Sequence, residues 1–298
     1  MPFTLKKYKA IKDKKIQIFL IHELGLDPKI GQRLTSKGRI FDENMNTINT
    51  GETIPTEFIY IAVFEGISRG LKPLIEFSDF AIFDKPTNLM VHPISKSTPY
   101  SLLDEIRFHF GEDANLIHRI DAETSGLVIV GKNKKSEIAL KEMFQEKKYH
   151  KSYLAIAQGH IKEEITIDKG LDREGLVIGV RMKVCDDGKE SVTIIKPIKY
   201  NKEKDLTLIE AIPLTGRQHQ IRVHLHSIGH TILGDPIYGV DDDSAENYLN
   251  KTLSLEDRFT VTKSSRLWLH ANYLEFTFKD ITYKIFSKNR DLYNEFLN

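Results

Sequence analysis

The sequence predicts an α+β protein with a mixed, largely antiparallel central sheet, flanking helices and a cleft, preceded by a small N-terminal α/β module. Two observations support this class. Apolar runs of strand length outnumber the segments with helical spacing, and the two kinds do not alternate regularly, as they would in a doubly wound parallel fold. At 298 residues, the chain is also long enough for a large and a small domain that each have a core.

Composition divides the chain into three regions. Residues 1–65 form a basic segment and a small module, residues 66–73 a linker, and residues 74–298 a large domain. The linker contains two glycines, a serine and a proline within eight residues. The net charge of +1 is uninformative by itself, because a balanced total can hide a local basic surface.

The first 15 residues carry six lysines against one acidic residue, Asp13. Such a cluster is typical either of a solvated tail or of a surface that contacts a polyanion, since lysine binds phosphates without strict geometry. Apolar residues then recur at helical spacing and predict a first helix that contains Ile16, Phe19, Leu20 and Leu24.

A second helix is predicted to begin at Asp27-Pro28, where proline is tolerated, and to end at Gly38. Ile30 and Leu34 are expected on its inner face. Short strands are predicted over residues 39–41 and 58–64, with turns between them. A unit of this size is marginal alone, so we expect it to act as a tethered module or to pack on a neighbour.

Apolar runs in the large domain predict buried strands over residues 80–83, 127–130, 153–157, 192–195, 206–212 and 267–278. Helices are predicted over residues 136–147 and 218–228, each with an apolar stripe, and Gly229 suits the position after the second. Residues 241–262 are polar and acidic at their start, which predicts a surface loop or insertion.

The single cysteine, Cys185, excludes an intrachain disulfide and a cysteine-built zinc site, and it is typical of a reducing compartment. No apolar stretch approaches the roughly 18 residues of a membrane helix. The N-terminus lacks the apolar centre of a secretory signal. We therefore expect a cytoplasmic protein without membrane contact.

The segment HRIDAETSGL, residues 118–127, places His118, Arg119 and Asp121 just before a predicted strand. Functional residues often lie in loops at strand ends. From these residues alone, Asp121 is either a reacting group or the solvated acid of a turn. Tyr153, in KSYLA, is likewise either a core residue with a bonded hydroxyl or a ring that faces a cleft.

Arg217 and Arg222 would point about 140° apart on the predicted helix, so they are not expected to hold one small anion together. His226 and His230 have the i, i+4 spacing that metals use. No glutamate lies between them, no cysteine is near, and the arginines would repel a cation. The sequence therefore predicts no metal site.

Four segments resemble, in order, the motifs of the RluA-type pseudouridine synthase family. They are DKPTNLMVHP (84–93), HRIDAETSGLVIV (118–130), KSYLA (151–155) and LTGRQHQIRVHLHSIGHTILGDPIYG (214–239). Ile120 replaces a commoner leucine, and Asn88 stands where glycine is usual, which predicts a different bend in that loop. Residues 16–64 more faintly resemble the alpha-L RNA-binding module that often precedes this domain.

The resemblance implies the pseudouridine synthase fold and an isomerase that detaches uracil from ribose, turns it and rejoins it through carbon, without cofactor or metal. Asp121 would be the reacting carboxylate, either attacking the anomeric carbon or taking a proton from the neighbouring sugar carbon. Arg222 would form a bidentate pair with it. Tyr153 would stack on the uracil and remove the ring proton.

The resemblance also implies contacts with RNA. The target base must leave its stack, and Arg119 would help to displace or replace it. His118 and Arg217 are the further residues expected to contact the substrate. The implied partner is structured RNA, ribosomal RNA of the large subunit rather than tRNA, bound by a monomer.

Two other functions are compatible with parts of the pattern. One is a non-catalytic RNA-binding relative that acts in ribosome assembly, but such a protein would usually lack one of Asp121, Tyr153 and Arg222. The other is a hydrolase with an aspartate nucleophile, which needs a separate acid–base group near Asp121. The complete set of motifs favours the isomerase.

Overall fold

A computed structural model of the protein describes residues 3–94, 98–175 and 178–298. In chain order, the first part contains β1 (Phe3–Lys9), α1 (Ile16–His22), α2 (Pro28–Ser36), β2 (Ile40–Phe41), β3 (Phe58–Phe64), β4 (Ile75–Glu76), β5 (Phe80–Lys85), α3 (Leu102–Phe110), β6 (Asn115–Leu116), β7 (Ser125–Gly131) and α4 (Lys134–Gln145). There follow β8 (Tyr149–Gln158), β9 (Ile165–Asp168), β10 (Leu171–Arg173), β11 (Met182–Val184), β12 (Val192–Asn201), β13 (Leu206–Pro213), α5 (Gln220–Ser227), α6 (Asp242–Leu249), α7 (Leu255–Thr262), β14 (Leu269–Phe278), β15 (Ile281–Phe286) and α8 (Asp291–Leu297).

The chain divides into two compact units. The first extends to Arg69 and also includes Arg107–Glu112, and the second contains the rest. The first unit has an antiparallel sheet in the order β1-β3-β2, together with α1 and α2. Its core joins the apolar face of α1 to isoleucines of the strands and turns, namely Ile16, Phe19, Leu20, Ile40, Ile48, Ile54, Ile59 and Ile61.

Both predicted helices of this unit are present. The Asp27 side chain caps α2 by accepting a hydrogen bond from the Lys29 N–H at 2.8 Å, and Pro28 lies in the first turn. Leu34 packs against the core as expected. The inner position predicted for Ile30 is wrong, because this side chain is 51% exposed.

The lysine-rich start is a strand over its described residues. β1 pairs with β3 along its full length, from Phe3 opposite Phe64 to Lys9 opposite Phe58. The interpretation as a solvated tail is therefore wrong for residues 3–9, whereas the interpretation as a basic surface is compatible with their exposed lysines.

The second unit is built on a ten-stranded sheet. Its strands lie in the order β4-β5-β7-β14-β8-β13-β12-β9, with β6 paired to β7 and β15 paired to β14. Every described pair in this sheet is antiparallel except β7 with β14. This confirms the predicted mixed, largely antiparallel sheet. Each of the six apolar runs overlaps a strand, and the two helices predicted in this domain overlap α4 and α5.

The predicted loop over residues 241–262 is wrong, because this segment contains α6 and α7. Each helix begins with a side-chain cap: Asp241 accepts from the Ser244 N–H at 2.8 Å, and Ser254 from the Asp257 N–H at 3.0 Å. The two residues that α7 buries are polar, namely Arg258, which is 6% exposed, and Thr262. A search for apolar periodicity therefore misses this helix.

The approach of β7 to β14 depends on a glycine. Gly126 has a φ of +112°, and a Cβ atom there would lie 2.3 Å from the Ala271 carbonyl oxygen. Glycine thus allows the start of β7 to lie against β14. Since β14 separates β7 from β8 in the sheet, this contact fixes how Asp121, just before β7, faces Tyr153 on β8.

Candidate active site

A cavity of about 100 Å³ collects side chains from distant parts of the chain. Asp121 comes from the loop before β7, Tyr153 from β8 and Arg222 from α5. Arg119 and Arg217 line the same cavity. The structure thus brings together five of the six residues singled out from the sequence.

Arg222 lies beneath the cavity floor, with its side chain 2% exposed. Its Nη1 donates to Asp121 Oδ2 at 3.1 Å. Its Nε and Nη2 donate to Asp235 Oδ2 and Oδ1, both at 2.8 Å. The expected pairing with Asp121 is therefore present, but the bidentate geometry belongs to Asp235. Nε and Nη2 are both directed at Asp235, and Asp121 receives the remaining nitrogen, Nη1.

Asp235 is a site residue that the sequence analysis did not single out. Its Oδ1 also accepts the backbone N–H groups of Ile237 and Tyr238, at 2.9 Å and 3.0 Å. Burial favours the neutral acid, but the charge of Arg222 and these hydrogen bonds outweigh it and lower the pKa of Asp235. Burial likewise opposes the charge on Arg222, but the paired carboxylates, Asp235 above all, raise its pKa. Both groups therefore stay charged at neutral pH.

Tyr153 is buried, with 7% of its surface exposed. Burial raises the pKa of its phenol, and the nearby charge of Asp121 raises it further. The hydroxyl is consequently protonated at neutral pH.

His219 lies at the edge of the cavity in the left-handed conformation, with a φ of +53°. Burial, followed by the charge of Arg222, lowers its pKa to about 4, so the ring is neutral at pH 7. Tyr238 Oη accepts from the Met182 N–H at 2.9 Å and lies 3.0 Å from His219 Nδ1. On the other side of the ring, His219 Nε2 lies 3.8 Å from Asp121 Oδ2.

The turn that carries Asp121 is held through its backbone by the first motif. Lys85, fully buried at the end of β5, donates to the carbonyl oxygens of Pro86, Leu89 and Ala122 at 2.8–2.9 Å. Burial lowers the pKa of Lys85 to about 7. Thr87 Oγ1 donates to the Glu123 carbonyl oxygen at 2.7 Å.

Asn88 has a φ of +60°, so it adopts the left-handed conformation that glycine would favour at this position. The different bend expected from this replacement is therefore not needed: asparagine tolerates this conformation better than most residues. Its amide also faces the Glu123 carboxylate, to which the nitrogen can donate.

Glu123 links the turn to α6 and α7, and the sequence analysis did not predict this. Its carboxylate is 6% exposed and accepts from Arg258 Nη2 at 2.7 Å and from the Tyr248 hydroxyl. Ser125, at the start of β7, lies within hydrogen-bond distance of Arg266 and His270. The turn around Asp121 is thus fixed by charged side chains from the segment expected to be a loop and from the residues after it.

The three residues expected to contact RNA differ in their surroundings. Arg119 is exposed, and its guanidinium has no hydrogen-bonding or ionic partner among the described residues. Arg217 precedes α5 and is not on it as predicted; its Nε donates to the Glu190 carbonyl oxygen at 3.1 Å. His118 lies outside the small cavity, in an adjoining cleft of about 550 Å³. Burial lowers its pKa to about 3, and its Nε2 accepts from the Ile129 N–H at 3.3 Å.

The two histidines with metal-like spacing have other partners. His226 Nδ1 lies 2.9 Å from Thr231 Oγ1, and His230 Nδ1 lies 2.8 Å from the Gln158 carbonyl oxygen. α5 ends at Ser227, so the two rings do not share a helix face. In the described ranges, no group of three or more His, Cys, Asp or Glu is placed to hold a metal ion. Those ranges also contain no helix long and apolar enough to span a membrane.

This mixed sheet with its flanking helices has the fold of solved pseudouridylate synthases. The solved structure of human RNA Pseudouridylate Synthase Domain Containing 1 has the same fold, with a TM-score of 0.60 over 76% of this chain and 87% of that one, at 24% identity. The chain belongs to the RNA pseudouridylate synthase family, whose model matches residues 79–227.

The names of similar proteins state the same activity. An uncharacterized RNA pseudouridine synthase of Helicobacter pylori is 36% identical over 300 residues, which is 100% of this chain and 98% of that protein. The dual-specificity RNA pseudouridine synthase RluA of Vibrio parahaemolyticus is 37% identical over 55% of this chain and 60% of its own length. The ribosomal large subunit pseudouridine synthase D of Nitrosomonas europaea is 34% identical over 57% of this chain and 50% of its own length. The predicted RluA-type family, fold and enzyme class are thereby confirmed.

Proposed function

We propose that this RNA pseudouridine synthase uses Asp121 as its reacting carboxylate on uridines of structured RNA, with ribosomal RNA of the large subunit as the preferred substrate. The contact between Arg222 Nη1 and Asp121 Oδ2, at the cavity lined by Tyr153, carries the proposal. Arg222 is buried and charged, whereas the Asp121 side chain is 30% exposed. A ligand can therefore reach the carboxylate while the guanidinium orients it.

Two routes start from an ionised Asp121. In one, a carboxylate oxygen attacks the anomeric carbon, and the glycosidic bond breaks with its electron pair going to the uracil ring. In the other, the carboxylate takes a proton from the neighbouring sugar carbon, and the same bond breaks. In both, Asp121 loses its negative charge, either as an ester or as an acid.

Tyr153 is proposed to act after this change of charge. The negative charge of Asp121 is one cause of the raised pKa of Tyr153. Once Asp121 is neutral, that contribution disappears and only the effect of burial remains. The Tyr153 oxygen can then take the proton from the ring carbon that has joined the sugar while its own phenol proton passes to water, and the electron pair of the broken C–H bond restores the double bond of the ring. The charge of one residue would thus set the order in which the two act.

Three residues are proposed to handle the RNA around the target uridine. Arg119 has an exposed guanidinium next to Asp121 with no partner in the described part of the chain, and a planar cation can stack where a flipped base has left. Arg217 lines the same cavity and is suited to a phosphate. We retain His118 as a substrate contact through its ring face only, because its low pKa excludes a positive charge at neutral pH.

The substrate class rests on relatives and on the first compact unit. One similar protein is named for the large ribosomal subunit and another for dual specificity. Residues 1–65 carry the lysine cluster, and β1 exposes most of its side chains. We propose that this unit binds RNA and tethers the catalytic domain, residues 74–298, to a large structured substrate. The enzyme is proposed to act as a monomer.

The test maps pseudouridines in total RNA by carbodiimide modification, in cells with and without the gene and with Asp121→Asn. A site that is lost in both altered strains, and lies in large-subunit ribosomal RNA, supports the proposal. A site that is still modified with Asp121→Asn would contradict the role of Asp121. A site found only in tRNA would contradict the proposed substrate. Replacement of Lys7, Lys9 and Lys12 by glutamine tests the tether separately, and unchanged RNA affinity would contradict it.

A further inference from the structure

A stack of three rings lies in the cleft that adjoins the reaction cavity. Phe144 is stacked on Tyr149, with centroids 4.2 Å apart and planes at 21°, and on His118, at 4.9 Å and 9°. All three rings line the cleft of about 550 Å³. The cleft is continuous with the reaction cavity, because both are lined by Arg119, Ile120, Asp121, Lys151, Gly216 and Arg217.

β8 connects this ring stack to the reaction cavity. Tyr149, Lys151 and Tyr153 alternate along the strand and thus point to the same face, with about 13 Å between the two tyrosine positions. Lys151 Nζ lies 5.4 Å from the centroid of Tyr149 and 6.0 Å from that of Tyr153. The face therefore presents a ring, a cation and a second ring in a row. Single-stranded nucleic acid is bound by this combination, with bases on aromatic rings and phosphates on cations.

The ring stack is uncharged at neutral pH. Burial raises the pKa of Tyr149 and lowers that of His118 to about 3. A neutral ring offers a stacking face without hydrogen-bond discrimination, so it accepts any of the four bases. The exposed guanidinium of Arg119 supplies positive charge on the same cleft.

We propose that Tyr149, supported by Phe144 and His118, stacks on a second RNA base that neighbours the flipped uridine, while Lys151 contacts the phosphate between them. The inference rests on the proposed binding of the target uridine at Tyr153. The cleft would then hold at least a dinucleotide, and the enzyme would bind the target together with one splayed neighbour. Because Tyr149 and Phe144 also pack against the core of the second unit, a test must separate stacking on RNA from support of the fold.

The direct test uses synthetic RNA hairpins that carry one loop uridine and 2-aminopurine, a fluorescent base, at one or two positions on either side. Stacking on Tyr149 is expected to quench the fluorescence at one of these positions. Tyr149→Phe keeps the ring and should quench equally, whereas Tyr149→Leu should not quench and should bind about tenfold more weakly, the size of one base–aromatic contact. Equal signals from wild type and Tyr149→Leu at every position would overturn the inference.

A kinetic test distinguishes a binding role from a structural one. On a hairpin that contains the mapped uridine, Tyr149→Leu should raise KM about tenfold with little change in kcat. With an abasic nucleotide at the position found by fluorescence, wild type and variant should have the same KM. An equal loss on both RNAs would mean that the ring only supports the fold. The fluorescence measurement requires no turnover. It therefore still tests stacking on Tyr149 if Asp121 does not have the proposed role.

Discussion

Arg222 holds two carboxylates, and it holds them differently. Asp235 is fully buried, receives two guanidinium nitrogens in a bidentate pair and accepts two backbone amides besides. Asp121 receives one nitrogen at 3.1 Å, and 30% of its side chain is exposed. One carboxylate is saturated with hydrogen bonds, and the other has free lone pairs that face the cavity.

The difference separates two tasks within one ion-pair cluster. A bidentate pair in a dry interior keeps the guanidinium charged and stationary. The second carboxylate, Asp121, is then oriented by the same guanidinium, but its lone pairs are not all used in bonds to it. A reacting carboxylate needs such unsatisfied lone pairs, since each bond it accepts lowers its reactivity as a base or nucleophile.

The same chemical change at the two positions should give opposite results, and Asp121→Asn has the largest expected effect on activity. Pseudouridine formation should fall by at least ~10⁴-fold, because the reacting oxygen loses its charge. The free energy of unfolding should change by less than about 1 kcal/mol, because the contact is single and partly exposed. Single-turnover assays and urea titration measure the two. A stability loss as large as that of the Asp235 variant would abolish the distinction.

Asp235→Asn should instead destabilise the fold. The buried Arg222 would lose the charge of its bidentate partner and the acceptor of its Nε hydrogen bond, and loss of one partner from a buried ion pair costs roughly 3–5 kcal/mol. The urea midpoint should fall accordingly, with the loss of activity following from a displaced guanidinium. Asparagine keeps one oxygen for the amides of Ile237 and Tyr238, so the loss is confined to the charge and to the acceptor of Arg222 Nε. A midpoint within error of the wild type would show that Asp235 is not the structural partner.

Glu123→Gln should have an intermediate effect. It leaves Arg258 without its buried counter-charge, which we expect to cost roughly 2–4 kcal/mol of stability. In the double variant with Arg258→Met, no unpaired charge remains, so part of the stability should return. Tyr248→Phe is the control, since it removes one hydrogen bond and no charge. Additive losses in the double variant would contradict a coupled pair.

The smallest expected effect is on RNA affinity, and it involves Lys151 on the solvent side of the site. Burial lowers its pKa to about 8, so between pH 7 and pH 9 it loses its proton and its attraction for phosphate. Its neighbours are Tyr149, Tyr153 and His118, and the charged residues Arg119, Asp121 and Arg217 line the same cleft. The pKa values of the tyrosines are raised and that of His118 is lowered to about 3, so these three groups stay neutral over this range.

RNA affinity should therefore fall with rising pH, by about fivefold or roughly 1 kcal/mol for one contact. Lys151→Arg, which keeps its charge up to a much higher pH, should flatten this dependence. Fluorescence anisotropy with a labelled hairpin measures it at each pH. A pH dependence that is the same in both proteins would assign the effect to another group.

The sequence predicted the strands and helices that have a clear pattern of apolar residues. Runs such as Phe80 to Phe83 and Leu127 to Val130 are nearly fully buried, so their composition alone indicated strands. α7 was missed because its buried face contains Arg258 and Thr262, while Leu255 and Phe259 are exposed. β1 was missed because lysines dominate its composition, although its backbone pairs regularly with β3.

The sequence predicted the residues that line the cavity from the motifs, but neither the supporting Asp235 nor the bonding of the site. Asp121, Tyr153 and Arg222 came from motifs, and the structure places them around one cavity. That Asp235 would take the bidentate pair depends on the turn that aims its carboxylate, which side-chain spacing does not encode. The contact of Lys85 with the Ala122 carbonyl oxygen is equally hidden, because its acceptor is backbone.

The position of β14 has a consequence for the order of synthesis. The strand begins at Leu269, yet it lies between β7 and β8 in the sheet and contacts Gly126 directly. A nascent chain that already contains Asp121, Tyr153 and Arg222 still lacks the strand that sets the first two against each other. The enzyme should therefore acquire activity only at a late stage of translation, and partly made chains should leave RNA unmodified.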